Sequence, residues 1–90
     1  MIKVQRNPEY IQDLKELLLE QPDLMDEIDS RVQWFRKNAE DTRLKNHDLH
    51  KKMLGKFAFS ITNDVRIVYK WLGKNEVRFL AIGGHPKVYK

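Results

Sequence analysis

From Gly55 to Thr62 the chain alternates apolar and polar positions, setting Phe57, Phe59 and Ile61 on one face and Lys56, Ser60 and Thr62 on the other. That pattern predicts a half-buried strand. Asn63-Asp64 is turn chemistry, and the run from Val65 to Leu72 that follows is rich in the β-branched and aromatic residues that suit a pleated surface. Gly73-Lys74-Asn75 supplies another short turn, and Val77 to Ile82 is apolar enough for a strand covered on both faces. The three strands should form an antiparallel meander.

Upstream, the hydrophobic period changes from two to the helical repeat. Ile2 to Arg6 alternates briefly and suggests a short strand that joins the meander. Asn7 then suits an N-cap with Pro8 at the first helical position, and Ile11, Leu14, Leu17 and Leu18 follow at helical spacing over roughly residues 8–20. Pro22 and Asp23 restart the chain. Met25, Ile28, Val32, Phe35 and Ala39 then repeat at steps of three and four, one stripe of a second helix. The short link implies an antiparallel helical hairpin whose stripes cover one sheet face, with Trp34 at their edge as a core or semi-buried filler, or else as an aromatic that contacts a partner. The expected architecture is α+β in the order β-α-α-β-β-β. A small antiparallel or mixed sheet of about four strands packs on an N-terminal helical hairpin, in one domain spanning residues 1–90.

Between Glu40 and Leu54 the chain is polar and basic, with Leu44, Leu49 and Leu54 as expected anchors. So long a connection in so small a domain is often functional. Lying across the exposed sheet face, it would bring His47, His50, Lys51 and Lys52 near Arg66 and His85. There is no internal repeat and no low-complexity segment.

The chain has no cysteine, which removes disulfides and thiolate metal sites from consideration and fits a reducing cytosol. No apolar run approaches the ~20 residues of a membrane span, and the first residues lack a signal-peptide stretch, so a cytoplasmic protein with no membrane partner is expected. His47 and His50 are spaced like two ligands on a helical turn, but no third ligand nearby completes a metal motif, and no cofactor is expected. The formal charge of +4 is unevenly spread. From Arg43 onward eleven Lys or Arg face only Asp48, Asp64 and Glu76, whereas the first 42 residues hold six basic against ten acidic side chains. The sheet half therefore carries the positive field, suited to a polyanion or to an acidic protein segment.

Several residues of this half occur in a recognisable succession: His47-Asp48-Leu49, Gly55 opening a strand, Asp64-Val65-Arg66-Ile67-Val68-Tyr69, the turn Gly83-Gly84-His85, and Val88-Tyr89. The succession resembles the RelE/ParE superfamily of small bacterial toxins, and within it the RelE/YafQ-like mRNA-cleaving branch. The resemblance implies a type II toxin that cleaves mRNA, commonly in the A site of the 70S ribosome, and that a cognate antitoxin neutralises. DNA would be met only through the toxin–antitoxin complex.

Metal-free RNA cleavage needs a base for the ribose 2′-hydroxyl, an acid for the leaving 5′-oxygen and cations for the phosphorane. Arg66 matches the superfamily's phosphate-contacting strand arginine, against the plainer reading of a surface arginine paired with Asp64 or Glu76. His85 matches the position of a general acid, or else merely caps a turn before Pro86. Tyr89 matches a C-terminal aromatic that stacks on a base or orients the substrate, though it could simply pack on the sheet. His47 or His50 would be the base, His47 being preferred. Lys51, Lys52 and Lys56 would act as electrostatic clamps for RNA, or form an ordinary solvated charge run.

Two departures matter. Ser60 stands where the histidine-rich branch has a further catalytic histidine, and Val65 where it has an aromatic residue. Loss of the catalytic set characterises the gyrase-inhibiting, ParE-like branch. A non-catalytic gyrase binder is therefore the first alternative, and an inactive relative or inert nucleic-acid-binding domain the second.

Overall fold

The structure, a computed structural model, describes residues 1–49 and 53–84. In chain order the elements are β1 (Lys3–Arg6), α1 (Pro8–Glu20), α2 (Leu24–Lys37), a 3-10 turn (Thr42–Leu44), β2 (His47–Asp48), β3 (Phe57–Ser60), β4 (Val65–Gly73) and β5 (Glu76–Gly84). The strands order as β1-β5-β4-β3-β2. β1 runs parallel to β5, and every other pairing is antiparallel. The α+β class, the helical hairpin and the meander are as the sequence pattern predicts. The sheet has five strands, one more than expected, because His47 and Asp48 pair with Ala58 and Phe57. Two residues are too few for an alternation to register in the sequence.

Asn7 occupies the N-cap of α1 with extended backbone, and Pro8 begins the helix. Its side-chain amide donates to Glu9 instead of being a cap, while its backbone N–H donates to the carbonyl of Phe79 and fixes the helix entry to β5. Tyr10 and Leu17 are the buried positions of α1, and Tyr10 packs on Phe79 with ring centroids 5.3 Å apart. Ile11, expected in the inward stripe, is 40% exposed because Tyr10 takes that side of the helix. Met25, at the other end of the hairpin, is also exposed.

The core between helices and sheet is organised by Phe35 of α2, which is fully buried. Its ring stacks on Phe59 at 4.5 Å and meets Tyr69 and Phe79 edge-on at 4.8 and 5.9 Å. Such offset and edge contacts are the favoured arrangements of aromatic quadrupoles. Ala39, the last residue of the predicted α2 stripe, is buried but lies beyond the helix end at Lys37.

Strand β3 is covered on both faces, against the expectation of a half-buried strand. Phe59 and Ile61 enter the helix-side core, while Ala58 and Ser60 are buried on the opposite face. That second face holds a small apolar cluster of Ala58 and Val68, with Leu49, Met53, Leu80 and Ala81 packed against it. A bulge in β5 makes this possible. The register passes from Val68 opposite Ala81 to Tyr69 opposite Phe79, leaving Leu80 unmatched. Phe79 and Ile82, three apart, thereby both face the helices.

Leu44 is fully buried and Leu49 partly so, but Leu54 is 85% exposed and is not an anchor. The reason is a tight turn, closed by the Met53 N–H to the Leu49 carbonyl and the Lys56 N–H to the Met53 carbonyl. Met53 takes the inward place, and Gly55 adopts φ +79, a conformation that side chains beyond glycine resist.

Candidate nucleic-acid interface

The sheet face turned away from the helices is built rung by rung. One rung sets Ser60, Arg66 and Gly83 side by side across β3, β4 and β5. The next sets His47, Ala58, Val68 and Ala81 in a row from β2 to β5. Beyond the bulge, Lys70 lies opposite Arg78, which in turn lies opposite Gln5 of β1. Because side chains alternate along a strand, Arg66, Val68 and Lys70 all project from this face. It is an apolar floor edged by cations.

Arg66 is half-buried, flanked by a glycine on one strand and a serine on the other. Its Nη1 donates to Ser60 Oγ at 3.1 Å. Its Nε is buried and has no hydrogen-bond partner among the described residues. The paired reading with Asp64 or Glu76 does not hold: the ion pairs among the described residues are Arg31–Glu27 and Arg43–Asp41, and Glu76 instead accepts from Gln5. A guanidinium held by a neutral hydroxyl keeps its full charge and its planar fork for an oxyanion. A buried donor without an acceptor is costly, which makes this position a natural place for one.

His47 stands at the sheet edge on β2, exposed, with Nδ1 3.0 Å from the carbonyl oxygen of Lys45. A carbonyl only accepts, so this contact is a hydrogen bond in the ring form that carries a proton on Nδ1. The strand register places His47 two strands and one rung from Arg66, a Cα separation of about 12 Å at ordinary sheet spacings. Lys56 is half-buried at the start of β3 and its carbonyl accepts from the Leu49 N–H, extending the β2–β3 ladder. His50, Lys51, Lys52, His85 and Tyr89 lie outside the described residues. Gly84 pairs with Val65, so β5 ends beside Arg66. Val65 itself faces the helix-side core.

Two further residues shape the site that sequence reasoning did not single out as useful. Ser60, read as the loss of a histidine, is the acceptor that orients Arg66. A signal was available, since residues 60 and 66 lie symmetrically about the Thr62–Asp64 turn and so must oppose one another in a hairpin. Asn46 anchors the strand that bears His47: its amide donates to the carbonyl of Ala39 at 2.8 Å and to the Tyr69 hydroxyl at 2.6 Å. Burial pushes the Tyr69 hydroxyl up to about 12, an effect the Asn46 hydrogen bond opposes and Glu40 reinforces. Nothing in the local sequence ties Asn46 to Tyr69, 23 positions away.

A helical hairpin on one face of a five-stranded mixed sheet is a fold that this chain shares with solved structures of small toxins. YafQ from Escherichia coli strain BL21(DE3) superposes with a TM-score of 0.81 at 17% identity, covering 100% of both chains. A copper-bound point-mutant toxin from Helicobacter pylori gives 0.74 at 23% identity, over 99% of this chain and 100% of that one. The YoeB–YefM complex from Staphylococcus aureus gives 0.73 at 17% identity, over 94% and 98%. No protein-family model and no curated protein matches the sequence. These structures are what the chain is similar to in fold.

Proposed function

We propose that the protein is the cytoplasmic toxin of a type II toxin–antitoxin pair and that it cleaves mRNA, on the 70S ribosome, without a metal or cofactor. The observation that carries this reading is Arg66: a half-buried guanidinium on the cation-edged face, aimed by Ser60 and with a buried Nε that has no partner among the described residues. In this reading Arg66 binds the scissile phosphate. The Nε2 of His47 takes the proton of the ribose 2′-hydroxyl, whose oxygen attacks phosphorus. The bond from phosphorus to the 5′-oxygen breaks, and His85 gives that oxygen a proton, leaving a 2′,3′-cyclic phosphate and a free 5′-hydroxyl. The separation of His47 from Arg66 accommodates a nucleotide between them. His50 is the alternative base, Tyr89 stacks on or orients the substrate, and Lys51, Lys52 and Lys56 hold neighbouring phosphates or rRNA.

The neighbouring YoeB was crystallised with YefM, which supports a cognate antitoxin as this protein's partner too. An antitoxin segment covering the apolar floor and its cations would block the site. The serine at position 60, in place of a proton-exchanging histidine, favours one rival reading, a ParE-like toxin that binds DNA gyrase without catalysis. Inducing the protein from a repressed promoter while following growth, mRNA integrity and plasmid supercoiling separates the two. Rapid mRNA loss with normal supercoiling is expected, and relaxed plasmid with intact mRNA would replace this reading by the rival.

A further inference from the structure

We propose that the cavity beside Trp34, at the open end of the β2–β3 edge, is a second phosphate-binding site for the RNA strand, adjoining the phosphate held by Arg66. It rests on the RNA-cleaving reading above. The cavity measures about 320 Å³ and is lined by Arg31, Trp34, Arg43, Lys45, Ser60 and Thr62 among others. Ser60 links the two places: the residue lines the cavity, and its hydroxyl accepts from Arg66 on the sheet face. A strand whose reacting phosphate lies on Arg66 therefore passes this cavity if it leaves along the β3 edge.

The chemistry of the lining selects a phosphate over a base. The Arg43 guanidinium sits 3.6 Å from the Trp34 ring centroid and that of Arg31 4.8 Å away. With Arg43 over its ring, the indole is a platform for cations and not a stacking surface for a base. Both guanidiniums are fixed. Arg31 donates to Glu27 and to the Arg43 carbonyl, and Arg43 binds Asp41 through Nε at 3.0 Å and Nη2 at 2.8 Å. Each keeps donors beyond these bonds, as a guanidinium has five. Lys45 adds a third cation and belongs to no ion pair among the described residues. Against Glu27 and Asp41 the cluster keeps an excess of one positive charge.

Lys45 also carries a conformational signal. Its φ is +50, left-handed, the one non-glycine residue so placed among those described. Such backbone is strained for a residue that bears a side chain. Glycine or asparagine would sit there more easily, yet the position holds a lysine, and that lysine lines the cavity.

That strain supplies a test in which folding and binding move in opposite directions. Lys45→Gly and Lys45→Asn both suit the left-handed backbone and remove the cation. Binding is followed by fluorescence anisotropy on a labelled, fully 2′-O-methylated single-stranded RNA of about ten nucleotides, a length within the usual range of single-strand sites, at several salt concentrations. The 2′-O-methyl groups prevent cleavage. Both variants should melt at or above the wild-type temperature, bind about three- to tenfold more weakly at low salt, and lose about 0.7 from the log–log salt slope, the amount of one single-strand phosphate contact. Wild-type binding that either variant leaves unchanged in affinity and slope overturns this site while leaving the Arg66 reading intact. Failure of the wild type to bind RNA at all, including tight binding of an acidic peptide instead, overturns the reading on which the site rests.

Discussion

Ser60 and Arg66 oppose each other across the β3–β4 ladder, and the serine Oγ accepts the arginine Nη1 hydrogen at 3.1 Å. A hydroxyl at this position therefore does work that a proton-exchanging side chain would do differently: it fixes the direction of a positive charge without neutralising it. Removing it should leave Arg66 charged but free to rotate. Ser60→Ala is expected to lower kcat/KM for RNA cleavage about tenfold, the effect of one hydrogen bond to a charged group, while Ser60→Thr retains most activity. Equal activity of the alanine variant would mean that Arg66 needs no such aim.

Arg66→Ala should reduce cleavage by about 10²–10³-fold, the scale on which single transition-state donors act. Thermal stability should hold or rise, because the substitution removes a buried Nε that lacks a partner among the described residues. Arg66→Lys keeps the charge and loses the fork, and should recover only part of the rate. A loss of activity matched by a large fall in melting temperature would instead mark Arg66 as structural.

The Tyr69 hydroxyl is pushed up to about 12, mainly by burial, and that of Tyr10 is raised to about 12 by the same cause. In the unfolded chain both titrate near 10. Between these values the folded state holds protons that the unfolded state has released, so stability is complete below about pH 10 and falls as pH rises toward 12. Urea denaturation of Tyr69→Phe should show a shallower decline over that window than the wild type. An identical decline would assign the whole effect to Tyr10.

Phe35 touches Phe59, Tyr69 and Phe79, joining α2 to three strands. Phe35→Ala should cost about 3–5 kcal/mol, a large part of the 5–15 kcal/mol typical of a whole domain. Circular dichroism at growth temperature should then show a largely unfolded chain. A variant melting within a few degrees of the wild type would show that the surrounding side chains collapse into the space.

How much of this was legible in the sequence depended on range. Pro8 to Glu20 reads as a helix because Asn-Pro begins it and the apolar stripe from Ile11 to Leu18 continues for about two turns. The meander reads equally well, since strong turn residues separate its strands. The two-residue strand at His47, the bulge at Leu80 and the burial of Ser60 were not visible, because each is created by pairing and not by local preference. The site divides along the same line. Arg66 could be singled out through the resemblance carried by Asp64-Val65-Arg66-Ile67-Val68-Tyr69. Its bond to Ser60 could have been anticipated from the hairpin turn between them, whereas the Asn46–Tyr69 anchor beneath His47 and the Arg–Trp cluster at the β3 edge appear only when distant segments meet.

The central claim is that this chain cuts mRNA. Mapping new RNA 5′ ends across the transcriptome within minutes of induction, beside the Arg66→Ala/His85→Gln double variant, tests it most directly. Discrete cuts within translated frames, bearing 5′-hydroxyls and missing from the variant, are the predicted result. Growth arrest of equal strength in both strains, with no new 5′ ends in either, would contradict it.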